Sequence, residues 1–141
     1  MGELSTHFKG AITEQKVALE FVKLGYFVSK PIVQSSKYDL IVDIKNKLYK
    51  IQVKTCTNKY NSYIEFSTST SHTNTKETLN ISYLEEDVDF FATIYKDKCY
   101  LIPYNECGKR NQRLRILNTK IKNNNTKFLN DYLIENVLGR I

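Results

Sequence analysis

Asp39, Gln52 and Lys54 are the residues of this chain best placed to do chemistry together. A carboxylate, an amide oxygen and an ammonium group in one patch suit a hydrated hard cation. Mg2+ takes oxygen ligands and keeps several of its waters. Asp39 can bridge such an ion, Gln52 can offer its side-chain carbonyl, and the backbone carbonyl of Val53 is a further oxygen within the same stretch. A cation held there makes a bound water easier to deprotonate and so able to attack a phosphodiester. Lys54 can orient that water or stabilise charge building on the phosphate. Glu14 is a fourth group, a carboxylate that could complete the outer ligand shell from a different element.

The three residues share a patch only if residues 37–55, KYDLIVDIKNKLYKIQVKT, form a hairpin. Leu40, Val42 and Ile44 would fill one face of its first strand, and Ile51 and Val53 the same face of its return. A two-residue loop at Asn46-Lys47 would put Asp39 opposite Lys54, Ile41 opposite Gln52 and Asp43 opposite Lys50. Directly opposed residues share a face, so the polar groups cluster; a loop of odd length would scatter them. A plainer reading stays open, in which Asp39 and Lys54 are a surface ion pair of small energetic value.

Glu14 sits on a helix expected over residues 6–24, with Ser5 or Thr6 as cap and Gly25 as stop. Lys9, Lys16, Glu20 and Lys23 fall on one side at helical spacing. Phe8, Ala11, Ile12, Val17, Ala18, Leu19, Phe21 and Val22 make a broad apolar arc. Glu14 projects among the apolar residues, where a carboxylate is costly unless paired or bound to a cation. It either reaches water or a lysine at the arc's edge, or it belongs to the site.

Strands are expected at residues 26–33, 63–68 and 113–117, with a second hairpin of residues 89–95 and 99–104 across Lys96-Asp97-Lys98. Residues 67–76, STSTSHTNTK, read as a hydroxyl-rich loop and 79–88 as an acidic irregular segment. A last helix spans 127–138, capped by Asn125 or Thr126 and ended by Gly139. This order predicts one α+β domain covering all 141 residues, with a central mixed sheet and flanking helices.

With 141 residues the chain can bury a real core. No apolar run approaches the ~18 residues of a membrane span, and the N-terminus lacks a signal-peptide pattern. Cys56, Cys99 and Cys107 form no zinc or redox spacing, which points to reduced thiols in an intracellular, cytoplasmic protein. The net charge is +6, and residues 108–130 hold seven basic residues and no acid. That stretch is either a solvated lysine-rich face or a surface for a polyanion.

Asp39, twelve intervening residues, then Gln52-Val53-Lys54 resembles the PD-(D/E)XK nuclease motif in its Q-x-K variant. The ordered set KGAITEQKVALEFVKLGYFVSKP, SSKYDLIVD, LYKIQVKT, FSTSTSHTN and DVDFFATIY with YLIP is similar to small endonucleases encoded in bacterial group I introns. It spans residues 9–103. The resemblance implies a restriction-endonuclease-like fold and Mg2+-dependent cleavage of double-stranded DNA, with Mn2+ able to substitute. Carried over by position, Asp39 is the central metal ligand, Gln52 occupies the second acidic position, Lys54 is the catalytic lysine and Glu14 the helix acid. Two positions depart from the pattern: Tyr38 replaces the motif proline, and neutral Gln52 replaces an acid, so metal binding leans on Asp39 and Glu14.

The resemblance also gives polar loops and basic residues a use as DNA contacts. These are Ser35, Ser36 and Lys37; Ser67, Ser69, Ser71, His72, Asn74 and Lys76; and Arg110, Arg113 and Arg115 in the basic segment 108–141, which could equally serve oligomerisation. Cutting both strands calls for a homodimer or larger homo-oligomer. Two other readings follow from the same residues: a structure-selective nuclease, such as a Holliday-junction resolvase or repair enzyme, and a non-catalytic DNA-binding protein on a nuclease fold.

Overall fold

Lys45 and Asn46 both lie in the left-handed region, with φ of 52° and 66°. Two successive positive φ values are what a type I′ connection needs, and its twist matches that of the strands it joins. These two residues therefore form the loop between β2 (Leu40–Ile44) and β3 (Lys47–Val53), which pair antiparallel with Leu40 opposite Ile51, Ile41 opposite Lys50 and Asp43 opposite Leu48. The loop is one residue earlier than the expected Asn46-Lys47. The expected pairings of Asp39 with Lys54, Ile41 with Gln52 and Asp43 with Lys50 are corrected accordingly. Moving the loop by one residue slides the pairing by two. A slide of two returns every side chain to its own face, so the polar patch survives.

The computed structural model describes residues 3–33, 37–73, 78–116 and 125–141. Its central sheet has five strands. β1 (Phe27–Ser29) pairs antiparallel with β2, and β3 runs parallel to β8 (Phe90–Tyr95), which pairs antiparallel with β9 (Lys98–Pro103). The sheet is mixed, with order β1-β2-β3-β8-β9, as the expected α+β class requires. A second left-handed pair, Lys96 and Asp97, turns the β8–β9 hairpin. Between β3 and β8 the chain makes β4 (Thr57–Lys59), β5 (Tyr63–Ser67), β6 (Ser69–Thr73) and β7 (Thr78–Ser82). β5 is the middle strand of a smaller sheet with β4 and β10 (Asn111–Arg115), and β6 pairs with β7. Residues 69–73 are thus strand rather than the expected loop. The β-branched Thr70 suits an extended backbone, and residues 78–82, of which 79–82 were expected to be irregular, supply the partner.

α1 (Thr6–Lys23) ends where Gly25 takes φ 89°. Ser5 occupies the cap position without a side-chain capping bond. The helix buries only Thr13, Val17 and Phe21, one residue per turn. Phe8, Ile12, Leu19 and Val22 of the expected apolar arc are exposed at 63%, 42%, 54% and 56%. The sequence arc is therefore wider than the stripe that packs, which sits against β1, β3, β8 and β9. The expected C-terminal helix is also broken in two: a 3-10 turn at Leu129–Tyr132 and α2 (Ile134–Leu138). Between them Leu133 is extended, ψ 139°, because its backbone bridges to Tyr100 of β9. The expected caps Asn125 and Thr126 lie outside both pieces.

Val17 and Phe21 of α1, Leu40, Val42, Ile44 and Ile51 of the hairpin, Phe91, Ala92, Leu101 and Ile102 of β8 and β9, and Ile134 and Val137 of α2 share one buried core. β8 and β9 read as continuous buried runs because both their faces are covered. No described helix is long and apolar enough to cross a membrane. The three cysteines are free thiols. Burial raises the pKa of Cys56 and of Cys99, and pushes that of Cys107 up to about 12. Because the thiolate is the nucleophile, alkylation by iodoacetamide at mildly alkaline pH should be slow in the native protein and fast in denaturant. Mass spectrometry of the native protein would contradict this burial if it found all three labelled at the rate of a free thiol.

Candidate active site

Asp39 stands at the mouth of the central hairpin and is fixed at both ends. Its backbone N–H donates to the Ile51 carbonyl at 2.9 Å, and its Oδ2 accepts the Val53 N–H at 2.8 Å. One carboxylate oxygen is committed to the strand and the other is left for chemistry. Burial raises the pKa of Asp39 above the ordinary value. The Val53 N–H opposes this, nearby Glu14 adds to it, and the ammonium groups of Lys54 and Lys30 pull the other way. A half-buried carboxylate with a second carboxylate near it is a place where a cation relieves repulsion.

Gln52 follows Ile51 on β3 and lies beside Phe91 of the parallel strand β8. Its Oε1 is buried with no hydrogen-bond partner. An orphaned buried acceptor costs about 1–3 kcal/mol, and native structures seldom leave one without a reason. A hard oxygen waiting beside Asp39 fits a divalent cation. Asp39, Gln52 and Glu14 are the side chains that could hold one, with water completing the shell. Among the described residues no group of three or more His, Cys, Asp or Glu is placed to bind a metal. Asp39 and Glu14 are the site's two acids, and position 52 carries an amide in place of a third.

Lys54 comes directly after β3, its backbone N–H bonded to Ala92 at 2.8 Å. Its Nζ donates to the Ser69 carbonyl at 3.1 Å and to the Tyr83 hydroxyl at 3.2 Å, and lies 5.0 Å from the Tyr83 ring centroid. Burial pulls its pKa below the usual lysine value while Asp39 opposes the shift. Tyr83 is itself well held. Its ring meets Phe91 edge-on at 5.6 Å, its carbonyl accepts the Tyr104 hydroxyl at 2.7 Å, and its own hydroxyl hydrogen-bonds Thr70. Nothing in the sequence singles out Tyr83. It lies in the stretch read as irregular, and only the pairing of β6 with β7 brings it to Lys54.

Glu14 reaches the site from α1, and its carboxylate is paired with Lys30 at 3.0 Å. The stray charge of the helix therefore has both roles the sequence left open: a lysine partner and a place in the field of Asp39. Lys30 was not among the expected site residues, since a lone lysine after a short strand carries no pattern.

The expected DNA-contact residues fall into four groups. Ser35, Ser36, Asn74 and Lys76 lie outside the described residues, as do the side chains of Ser71 and His72. Lys37 is paired with Asp87 at 3.2 Å. Ser69 contributes its carbonyl to Lys54, and that same oxygen accepts a bond from the Ser67 hydroxyl at 3.0 Å. Arg113 and Arg115 sit on β10, where Arg113 is bonded to Glu65 at 2.7 Å and lies 4.9 Å from the Tyr63 ring, and Arg115 bonds Ser62. Arg110 is exposed just before β10. A cleft of about 510 Å³ is lined by Arg113, Arg115, Lys127 and their neighbours on β5, away from Asp39.

Three comparisons bear on this arrangement. The family model described as PD-(D/E)XK endonuclease matches residues 4–135. Protein 5.3 of Escherichia phage T7 is 29% identical over 126 residues, covering 78% of this chain and 97% of that protein. Among solved structures, the bacterial homing endonuclease I-Ssp6803I superposes with a TM-score of 0.77 at 22% identity, over 97% of this chain and 95% of its own. The last likeness is one of fold, while the family match runs through every element that builds the site. The chain belongs to the PD-(D/E)XK endonuclease family and is a DNA endonuclease.

Proposed function

We propose that this protein is a Mg2+-dependent, site-specific endonuclease of double-stranded DNA, of the homing type, acting inside the cell as a homodimer or larger homo-oligomer. The observation that carries the reading is the partnerless Gln52 oxygen beside a clamped Asp39 and a doubly anchored Lys54. Likeness to a homing endonuclease supports the type of target. When bound, the cation supplies an acidified water and charge neutralisation for phosphodiester hydrolysis. Asp39, Gln52 and Glu14 would hold it, and Mn2+, with similar ligand preferences, would substitute.

The chain's own groups do the rest. The Val53 N–H keeps the Asp39 carboxylate from rotating, so its free oxygen stays aimed into the site. The Ser69 carbonyl and Tyr83 hydroxyl hold the Lys54 ammonium in place, where positive charge stabilises the phosphorane-like charge that builds on the scissile phosphate. Fixing that charge beforehand saves reorganisation at the moment of reaction. The chain works as one domain. β10 pairs with β5 and α2 packs on β9, so the basic segment 108–141 is built into the same fold and adds charge for DNA binding or assembly. Two copies related by a twofold axis would present one site to each strand.

Lys54→Ala should lower the rate of duplex cleavage by about 100-fold or more and leave DNA affinity nearly unchanged; cleavage at the wild-type rate would refute the assignment. Tyr83→Phe removes one of two oxygen anchors and should slow single-turnover cleavage about 5- to 10-fold without altering the dissociation constant for DNA. Gln52→Glu adds a third carboxylate. By calorimetry its Tm in EDTA should fall, and the rise on adding Mg2+ should exceed that of wild type. Tight, salt-sensitive DNA binding with no cleavage in Mg2+ or Mn2+ would favour a non-catalytic protein. Faster cutting of four-way junctions than of linear duplex would favour a structure-selective nuclease.

A further inference from the structure

The small sheet carries an unused surface. Paired residues on its strands share faces: Asn111 lies opposite Ser67, Arg113 opposite Glu65, and Arg115 opposite Tyr63. The intervening residues Ile64, Phe66 and Leu114 are buried in the core. The ribbon of β5 and β10 is therefore anchored by one face, and its other face carries Tyr63, Glu65, Ser67, Asn111, Arg113 and Arg115, all but Ser67 lining the cleft they share with Asn125, Thr126 and Lys127. On the same face β4 sets Thr57 beside Glu65 and Lys59 beside Tyr63, so the sheet is two strands wide only at its Ser67–Asn111 end, where two strands about 4.8 Å apart fit a B-DNA major groove about 12 Å wide.

The residue types on that face are those that discriminate base edges. Asparagine pairs with adenine and arginine with guanine, each through two hydrogen bonds. Arg113 is already oriented by Glu65 and the Tyr63 ring. The ribbon also has a fixed relation to the catalytic lysine. The Ser67 hydroxyl, at one end of the outward face, and the Lys54 Nζ donate to the same Ser69 carbonyl, so the two groups are within about 6 Å of each other. From that end the strand runs away from the site.

We propose that the outward face of the β5–β10 ribbon reads sequence in the major groove beside the cut, in an order fixed by the strand. The Ser67–Asn111 row lies nearest the scissile phosphate and the Tyr63–Arg115 row about four base pairs further out. The spacing follows from four residues at about 3.3 Å each, against a base-pair rise of about 3.4 Å. This deepens the proposed function and rests on it for the position of the cut; the spacing between the two rows does not.

The test compares the full-length wild type with Asn111→Ala and Arg115→Ala on a randomised duplex library, read two ways. Cleaved ends are sequenced after reaction with Mg2+, and bound duplexes are sequenced after selection with Mg2+ withheld. Asn111→Ala should lose preference by about tenfold or more at one position near the cut, and Arg115→Ala by a similar factor at a position about four base pairs farther. Arg115→Lys, which keeps the charge, should relax the same position and retain the salt dependence of binding. A uniform loss of affinity with an unchanged profile, the mark of phosphate contacts, would overturn the proposal, as would the two positions appearing in reversed order. Relaxed positions four base pairs apart in bound but uncut duplexes would uphold the ribbon and refute catalysis. Cutting with profiles that neither variant alters would uphold catalysis and refute the ribbon. A wild type that neither binds nor cuts duplex DNA would refute both.

Discussion

The bond from the Val53 N–H to the Asp39 carboxylate is the constraint on which the rest of the site depends. It ties a side chain at the start of one strand to the backbone near the end of its neighbour, across the mouth of the hairpin. The carboxylate is thereby held in a half-buried setting it would otherwise avoid. Its charge is disfavoured by burial and by Glu14, and favoured by the Val53 N–H, Lys54 and Lys30. The site sets two carboxylates, Asp39 and Glu14, against two ammonium groups, Lys54 and Lys30. The unsatisfied oxygen of Gln52 lies within that balance, where a divalent cation meets both needs at once.

The lysine is held by a different principle. Its anchors, a carbonyl and a phenol hydroxyl, come from chain that leaves the central sheet after β3 and returns only at β8. The excursion through β4 to β7 is what closes over the ammonium, and an aromatic group of Tyr83, Phe91 and Tyr104 stiffens that closure from behind. The same excursion supplies β4 and β5 of the small sheet, which β10 completes after β9. One insertion between two parallel strands thus holds the catalytic lysine and gives β10 a strand to pair with.

Much of this was readable from residue order, for physical reasons that differ by element. Alternation in residues 40–44 fixed which side chains face the core, because the side-chain period of a strand is two. The mixed sheet, the N-terminal helix and both hairpins were visible for the same kind of reason. The turn residue was not, since Lys45, Asn46 and Lys47 are all plausible loop residues, and only the backbone φ values decide among them. The helical arc on α1 was overread: apolar spacing says which residues could pack, not how much neighbouring surface is there to receive them. Leu133 broke an expected helix because a strand claimed its backbone, a tertiary effect that local spacing cannot carry. Tyr83 and Lys30 were invisible because their roles come entirely from long-range contacts.

The tight turn at Lys45-Asn46 also sets how this site could change over evolutionary time. A loop that grows while Ile44 still pairs with Lys47 leaves Asp39 and Gln52 on the same side of the sheet, whereas a slip of the pairing by one residue would exchange the catalytic groups with the core. What the turn must conserve is the pairing it closes and not its own length.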